Sequence, residues 1–263
     1  MSDERPPTPA EVERQVRQQA DSLRAAGVEW VPVTPLPPPE PMSSAPVELA
    51  SGPPPSLFGD PAPTLQGAPL SLEERRRELQ VLAQGVSTCM RCAELVATRT
   101  QTVFGDGQPG AELCFVGEAP GADEDAQGKP FVGAAGQLLN RIIAACGMKR
   151  EEVYICNILK CRPPGNRTPS PDEAGHCREY LERQIELVQP KFICALGGCA
   201  AQNLLGTKQP MARLRGRFHD YRGIPVICTY HPAYLLPHRS PEKKKDVWED
   251  MKMLMARMGR PVK

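Results

Sequence analysis

Aromatic side chains make up only 5% of this 263-residue chain, and histidine occurs 4 times. An aromatic or an imidazole set among polar loop residues is therefore informative. No run of about 18 apolar residues exists, which excludes the signature of a membrane-spanning helix. The opening MSDERPPTPAEVERQ is polar and acidic and lacks the apolar centre of a secretory leader, so a cytoplasmic location is expected. In a reducing compartment the 10 cysteines are not a disulfide framework. They read as metal ligands or as small buried hydrophobes.

The formal charge of +1 averages two unlike polymers. Residues 1–70 carry 4 Lys+Arg against 9 Asp+Glu and hold 16 of the 30 prolines, whereas residues 71–263 carry 28 basic against 22 acidic side chains. The stretch 31–70 buries little and sustains neither a ladder nor a long helix. A disordered Pro-rich N-terminal extension with polyproline character is therefore expected over 1–70. Within it, Val12, Val16 and Leu23 fall at helical intervals. They read as a transient helix on the tail or as a docking helix for a partner.

An ordered domain is expected over 71–263. Ser71-Leu72-Glu73-Glu74 is a capping box, and Leu72, Leu79 and Leu82 suit one helical face. Four strand-like runs follow: LCFVG (113–117), VYICN (153–157), FICAL (192–196) and PVICT (225–229). Helical patterns alternate with them near 137–146, 171–188 and 200–205, and from about 242. This alternation predicts an α/β fold, a three-layer sandwich with a mainly parallel central sheet. Ligands in such folds bind beyond the carboxyl ends of the strands. GEAPG, Asn157 and Tyr230-His231-Pro232 all fall there.

The loop GEAPGADEDAQGKPFVG (117–133) sets Glu118, Asp123, Glu124 and Asp125 among glycines and adds Phe131. It has neither the Gly-Lys-Ser/Thr of a P-loop nor a GxGxxG pattern, and its acids repel phosphate. A neutral heterocycle, or a group developing positive charge, suits it. Phe131 offers a stacking face, Asn157 offers one amide donor and one acceptor, and His231 can polarise a carbonyl. Singly, these read as a core aromatic, a strand-end cap and a turn histidine. The constellation carries the argument.

Cys89 and Cys92 form CMRC after the first helix, and Cys161 and Cys177 flank RPPGNRTPSPDEAGH. Four cysteines so spaced fit zinc or an iron–sulfur cluster, and spacing does not choose between them. Cys114, Cys156, Cys194 and Cys228 sit inside the apolar strands and read as packing residues, as do the helical Cys146 and Cys199.

The motifs GEAPGADEDAQGKPFVGAAGQLLN, VYICNILKCRPPGNR, ALGGCAAQNLLG, LRGRFHDYRG and TYHPAYLL, in this order, resemble the family 4 uracil-DNA glycosylases. The resemblance runs from about Leu72 to Met258. It implies a monofunctional DNA repair enzyme that hydrolyses the N-glycosidic bond of uracil and leaves an abasic site. It also implies a structural [4Fe–4S] cluster on Cys89, Cys92, Cys161 and Cys177. Glu118, Ala119 and Pro120 match the motif whose backbone lines the uracil pocket, with Ala119 where many members have glycine. Phe131 matches the stacking aromatic, Asn157 the amide that reads the base edge, and His231 the histidine facing uracil O2. Glu124 matches an acid near C5, a candidate to exclude thymine. Glu118, Glu124 and Asn166 are the candidates for activating water.

The resemblance extends to AYLLPHRS, which matches a minor-groove loop. Leu235 or Leu236 is then the expected wedge and Arg239 a DNA contact. Further phosphate candidates are Arg213, Arg215, Arg217, Lys243, Lys244 and Lys245. The KRRIH insertion of a covalently trapping branch is absent from CRPPGNRTPSP, so turnover is expected. The implied partner is single- or double-stranded DNA containing uracil, met by a monomer. A repair or replication partner for the tail is a further expectation.

Overall fold

The structure, a computed structural model, describes residues 70–262 together with Ala10 and Arg14. Apart from Ala10, Arg14 and Leu70, the expected Pro-rich extension and the transient or docking helix read on it lie outside the described residues.

The chain begins this part with α1 (Leu72–Ser87) and α2 (Ala93–Thr98). The Ser71 hydroxyl accepts from the Glu74 amide and the Glu74 carboxylate accepts from the Ser71 amide, so the capping box is formed. The buried face of α1 differs from the expected one. Arg75, Leu79 and Val86 are buried, while Leu72 is 54% exposed. Leu72 is the first residue of the helix, one position after the cap.

The sheet contains β1 (Leu113–Gly117), β2 (Tyr154–Asn157), β3 (Phe192–Leu196), β4 (Phe218–Tyr221) and β5 (Ile224–Thr229). Its order is β2-β1-β3-β5-β4, parallel except for β4, which runs antiparallel to β5. Between β1 and β2 lie α3 (Ala122–Gln127) and α4 (Ala134–Ala145); α5 (Pro171–Val188) precedes β3; α6 (Gly198–Leu205) and α7 (Met211–Leu214) precede β4; α8 (Lys244–Arg257) follows β5.

Strand side chains alternate between two cores. Cys114, Val116, Cys156, Ala195 and Cys228 face Leu79, Leu181, Ile185, Ala201 and Leu204 of α1, α5 and α6. Leu113, Phe115, Ile155, Leu196 and Ile227 face Leu139 and Ile143 of α4 and Met251 and Leu254 of α8. These are the three expected layers. The four strand cysteines are fully buried in them. No helix among the described residues is long and apolar enough to cross a membrane.

Strand β4 was not expected. Its signal is the turn after it: Arg222 and Gly223 have φ of 52° and 84°, and Tyr221 pairs with Ile224. A two-residue turn with both φ positive is the tight hairpin connection. Because β2 lies on one side of β1 and β3 on the other, the chain reverses its winding between β1 and β3, and a crevice opens at their carboxyl ends.

Candidate active site

A cleft of about 430 Å³ lies at that rim. Glu118, Ala119, Pro120 and Glu124 from the segment after β1 line it, as do Phe131, Asn157, Asn166, His231 and Arg239. The structure thus places in one cleft the residues that the sequence reading assigns to the base: Glu118, Ala119, Pro120, Phe131, Asn157 and His231.

Gly117, the last residue of β1, makes the innermost part possible. A Cβ there would lie 2.6 Å from Cζ of Phe131 and would also collide with Oδ1 of Asn157. Removing the side chain lets an aromatic face and an amide close over the same backbone. Phe131 is buried and has φ of 53°, a left-handed conformation that costs a non-glycine residue roughly 1–2 kcal/mol. Asn157 is 2% exposed, and its Oδ1 has no hydrogen-bond partner. Its backbone carbonyl accepts from Nζ of the buried Lys160 at 2.7 Å.

The loop acids divide by role. Asp125 is buried and accepts from the amides of Thr100 and Gln101, which pins α3 to the preceding turn. Glu124 accepts from Gly121 N at 3.1 Å through one oxygen, and from Val132 N and Gly133 N at 2.9 Å through the other. Both oxygens are engaged with backbone, which disfavours the expected role in activating water. Glu118 is half-buried on the cleft wall, and burial raises its carboxyl above the ordinary range against a hydrogen bond with Thr168.

His231 follows β5 and lines the cleft. Burial lowers its pKa to about 4, with Glu124 opposing and Arg239 reinforcing. Its Nδ1 accepts from Ala233 N at 3.1 Å, which assigns the proton of the neutral ring to Nε2. The ring centroid lies 5.5 Å from that of Phe131.

At the rim, Asn166 is exposed and its Oδ1 accepts from Arg162 Nε at 2.7 Å. Leu235 is 1% exposed and packs with Val247 and Met251, so it anchors its loop and is not the wedge; Leu236 is half-exposed. Tyr234, inside the TYHPAYLL motif, also stands on the cleft wall, 41% exposed, a place its sequence neighbours do not signal. Arg215 differs from the expected phosphate contact. It forks onto the buried Asp250 at 3.1 and 3.2 Å and lies over the Tyr230 ring, so it supports the loop and is not free for phosphate.

Cys161 and Cys177 are buried with Leu95 and Leu159, against which Cys92 and the cleft residue Ala119 pack. Burial pushes the Cys92 thiol up to about 11, and Cys177, Cys161 and Cys89 add to it, so the four lie within electrostatic reach of one another. Arg99 donates to Cys161 Sγ at 2.9 Å and to the Cys89 carbonyl at 2.8 Å. Among the described residues no group of three or more His, Cys, Asp or Glu side chains closes around a single metal ion.

The family model of the uracil DNA glycosylase superfamily matches residues 104–252. A type-4 uracil-DNA glycosylase of Thermotoga maritima is 43% identical over 179 residues, covering 67% of this chain and 93% of that protein. One of Archaeoglobus fulgidus is 42% identical over 184 residues, covering 67% and 91%. A type-5 uracil-DNA glycosylase of Pyrobaculum aerophilum is more distant, at 28% over 180 residues, covering 56% and 79%. The matched segment contains both the rim cleft and the residues that close it, and the chain therefore belongs to the uracil-DNA glycosylase superfamily, among its type-4 enzymes, which excise uracil from DNA.

Proposed function

We propose that this glycosylase draws an everted uracil into the rim cleft, where Phe131 stacks on the ring, Asn157 reads its edge and His231 donates to O2. The observation that carries this reading is the orphaned Asn157 Oδ1. A buried acceptor without a partner costs about 1–3 kcal/mol. Uracil N3–H satisfies it, while the amide nitrogen meets O4. Cytosine presents the reverse pattern and leaves both groups opposed, the strong form of discrimination.

Eversion costs a few kcal/mol, least at mismatches and in single strands. Stacking on Phe131 returns roughly 1–3 kcal/mol. Cleavage breaks the bond between the sugar's anomeric carbon and uracil N1. The electron pair leaves with the base, and the sugar becomes cationic. Neutral His231, donating from Nε2, stabilises the uracil anion at O2. Glu118 and the DNA phosphates stabilise the sugar cation; water then adds to it and gives up a proton to Glu118 or solvent, from which the uracil anion is neutralised. Of the three candidates for orienting that water, Glu124 is engaged by backbone and Asn166 by Arg162. Glu118 is the remaining choice.

Cys89, Cys92, Cys161 and Cys177 are the proposed ligands of a [4Fe–4S] cluster. The donor set fits it: four thiols lie within mutual reach, and although burial raises Cys161 and Cys177, Arg99 on Cys161 Sγ and Lys160 beside Cys177 act in the opposite direction, toward thiolate. When bound, such a cluster supplies a structural tie between the end of α1, the turn after β2 and α5. The enzyme is read as a monomer acting on single- and double-stranded DNA. Leu236 fills the vacated stack, and Arg239 and exposed lysines hold phosphates.

The test is base release from single-stranded-uracil, U·A, U·G, T·G and C·G oligonucleotides by cluster-loaded protein. Release from the three uracil substrates, falling by about 10-fold or more in Asn157→Ala, supports the reading. Unchanged selectivity against cytosine in that variant would sink it.

A further inference from the structure

Two ionic groups hold Phe131 from opposite sides, and one of them stands outside the cleft. Arg150 lies just before β2 in a turn of 3-10 helix (Arg150–Glu152). Its Nη2 donates to the Pro130 carbonyl at 2.6 Å, and its Nη1 donates to the Phe131 carbonyl at 3.1 Å and to Asn140 Oδ1 at 2.9 Å. Asp106 orients the fork, accepting from Nε and Nη2 at 3.3 Å. On the other flank, Glu124 takes the amides of Val132 and Gly133. The residue between these clamps has φ of 53°.

A left-handed phenylalanine persists only where its surroundings over-determine it. Here the two carbonyls at and before the strained residue are tied to a cation, and the two amides after it to an anion. Gly136 completes the seat, since a Cβ there would run into the Phe131 backbone. Arg150 has a 19% exposed side chain and is not part of the cleft wall. Its bonds to backbone carbonyls leave little of the fork for DNA.

We propose that Arg150, oriented by Asp106, is a positioning residue that sets the ring plane of Phe131 for the incoming base. This rests on the reading of Phe131 as the stacking platform. The planar fork is the needed feature, because two carbonyls and an amide oxygen must be met at fixed angles. A lysine brings the charge without the fork.

The experiment is a double-mutant cycle on a single-stranded uracil oligonucleotide with cluster-loaded protein, comparing Arg150→Gln, Arg150→Lys, Phe131→Ala and the pair Arg150→Gln/Phe131→Ala. Arg150→Gln is expected to lower kcat/KM by about tenfold and to weaken inhibition by free uracil in parallel, the scale of one lost stack. Arg150→Lys is expected to recover part of the loss. In the Phe131→Ala background the Arg150→Gln step is expected to shrink to within about twofold, since the ring it positions is gone. A full Arg150 effect in that background overturns the proposal, as does an Arg150→Gln enzyme with unchanged kcat/KM. Full activity of Phe131→Ala overturns the stacking reading itself, a different failure. If Arg150→Gln does not fold, the Arg150→Lys and Asp106→Asn variants are read through the same cycle, with the same outcomes deciding.

Discussion

The ring centroids of His231 and Phe131 lie 5.5 Å apart, tilted by 31°, in the wall of a crevice formed by strands far apart in sequence. On the proposed reading, a planar base entering beside them meets a π-face and a hydrogen-bond donor at once. The backbone behind Phe131 is held by charges, whereas His231 is held by burial and by the Ala233 amide. These two kinds of support respond differently to pH and to mutation.

The neutral state of His231 is expected to show in the pH profile. With a pKa lowered to about 4, the ring stays neutral well below the usual histidine range. The acid limb of kcat/KM attributable to His231 should fall near pH 4 and be absent in His231→Gln. A His231-dependent break near 6.5 would contradict the neutral donor. Stability carries the matching sign. Between about 6.5 and 4 the unfolded chain binds the extra proton, so this residue's contribution is present above that window and declines as pH falls through it. Denaturant midpoints of wild type and His231→Gln across that range check it.

Gly117→Ala is expected to cost far more than a strand glycine usually does. Its Cβ has no room between Phe131 and Asn157. Uracil release should drop by about 100-fold, with a lower melting temperature, because the two groups that define the base pocket are pushed apart. Near-normal kinetics in this variant would show that the inner pocket is not where the base sits.

Cys161→Ser is expected to abolish visible absorbance and to remove iron and acid-labile sulfide from anaerobically purified protein. It should also lower the melting temperature, since Cys161 joins the turn after β2 to Arg99 and to the buried cluster of Leu95 and Leu159. Zinc in place of iron and sulfide in the wild type would overturn the cluster assignment.

Leu236→Ala is expected to slow excision from duplex several-fold while leaving single-stranded uracil nearly unchanged, because only a duplex leaves a gap to fill. Leu235→Ala should act instead through stability, at roughly 2–5 kcal/mol, since its side chain is packed in the core. Equal losses on both substrates for Leu236→Ala would remove it as the wedge.

The short apolar runs and the helical patterns between them determined the α/β class, the Ser-x-x-Glu pattern the capping box at Ser71, and the apolar flanks the packing role of the strand cysteines, because each depends on near neighbours. The ordered motifs marked Phe131, Asn157 and His231 as one constellation. Tertiary structure decided what depends on partners far along the chain. Leu72 and Leu235 look alike as apolar residues, yet one is exposed and the other buried, since only one of them meets a second element. Glu124 and Arg215 read as free charges until the amides of Val132 and Gly133, and the carboxylate of Asp250, arrive beside them. Arg150 gave no local signal at all. Its significance lies in the carbonyls of Pro130 and Phe131, some twenty positions earlier, and a side chain's work in a folded protein is set by what the fold places within hydrogen-bonding reach.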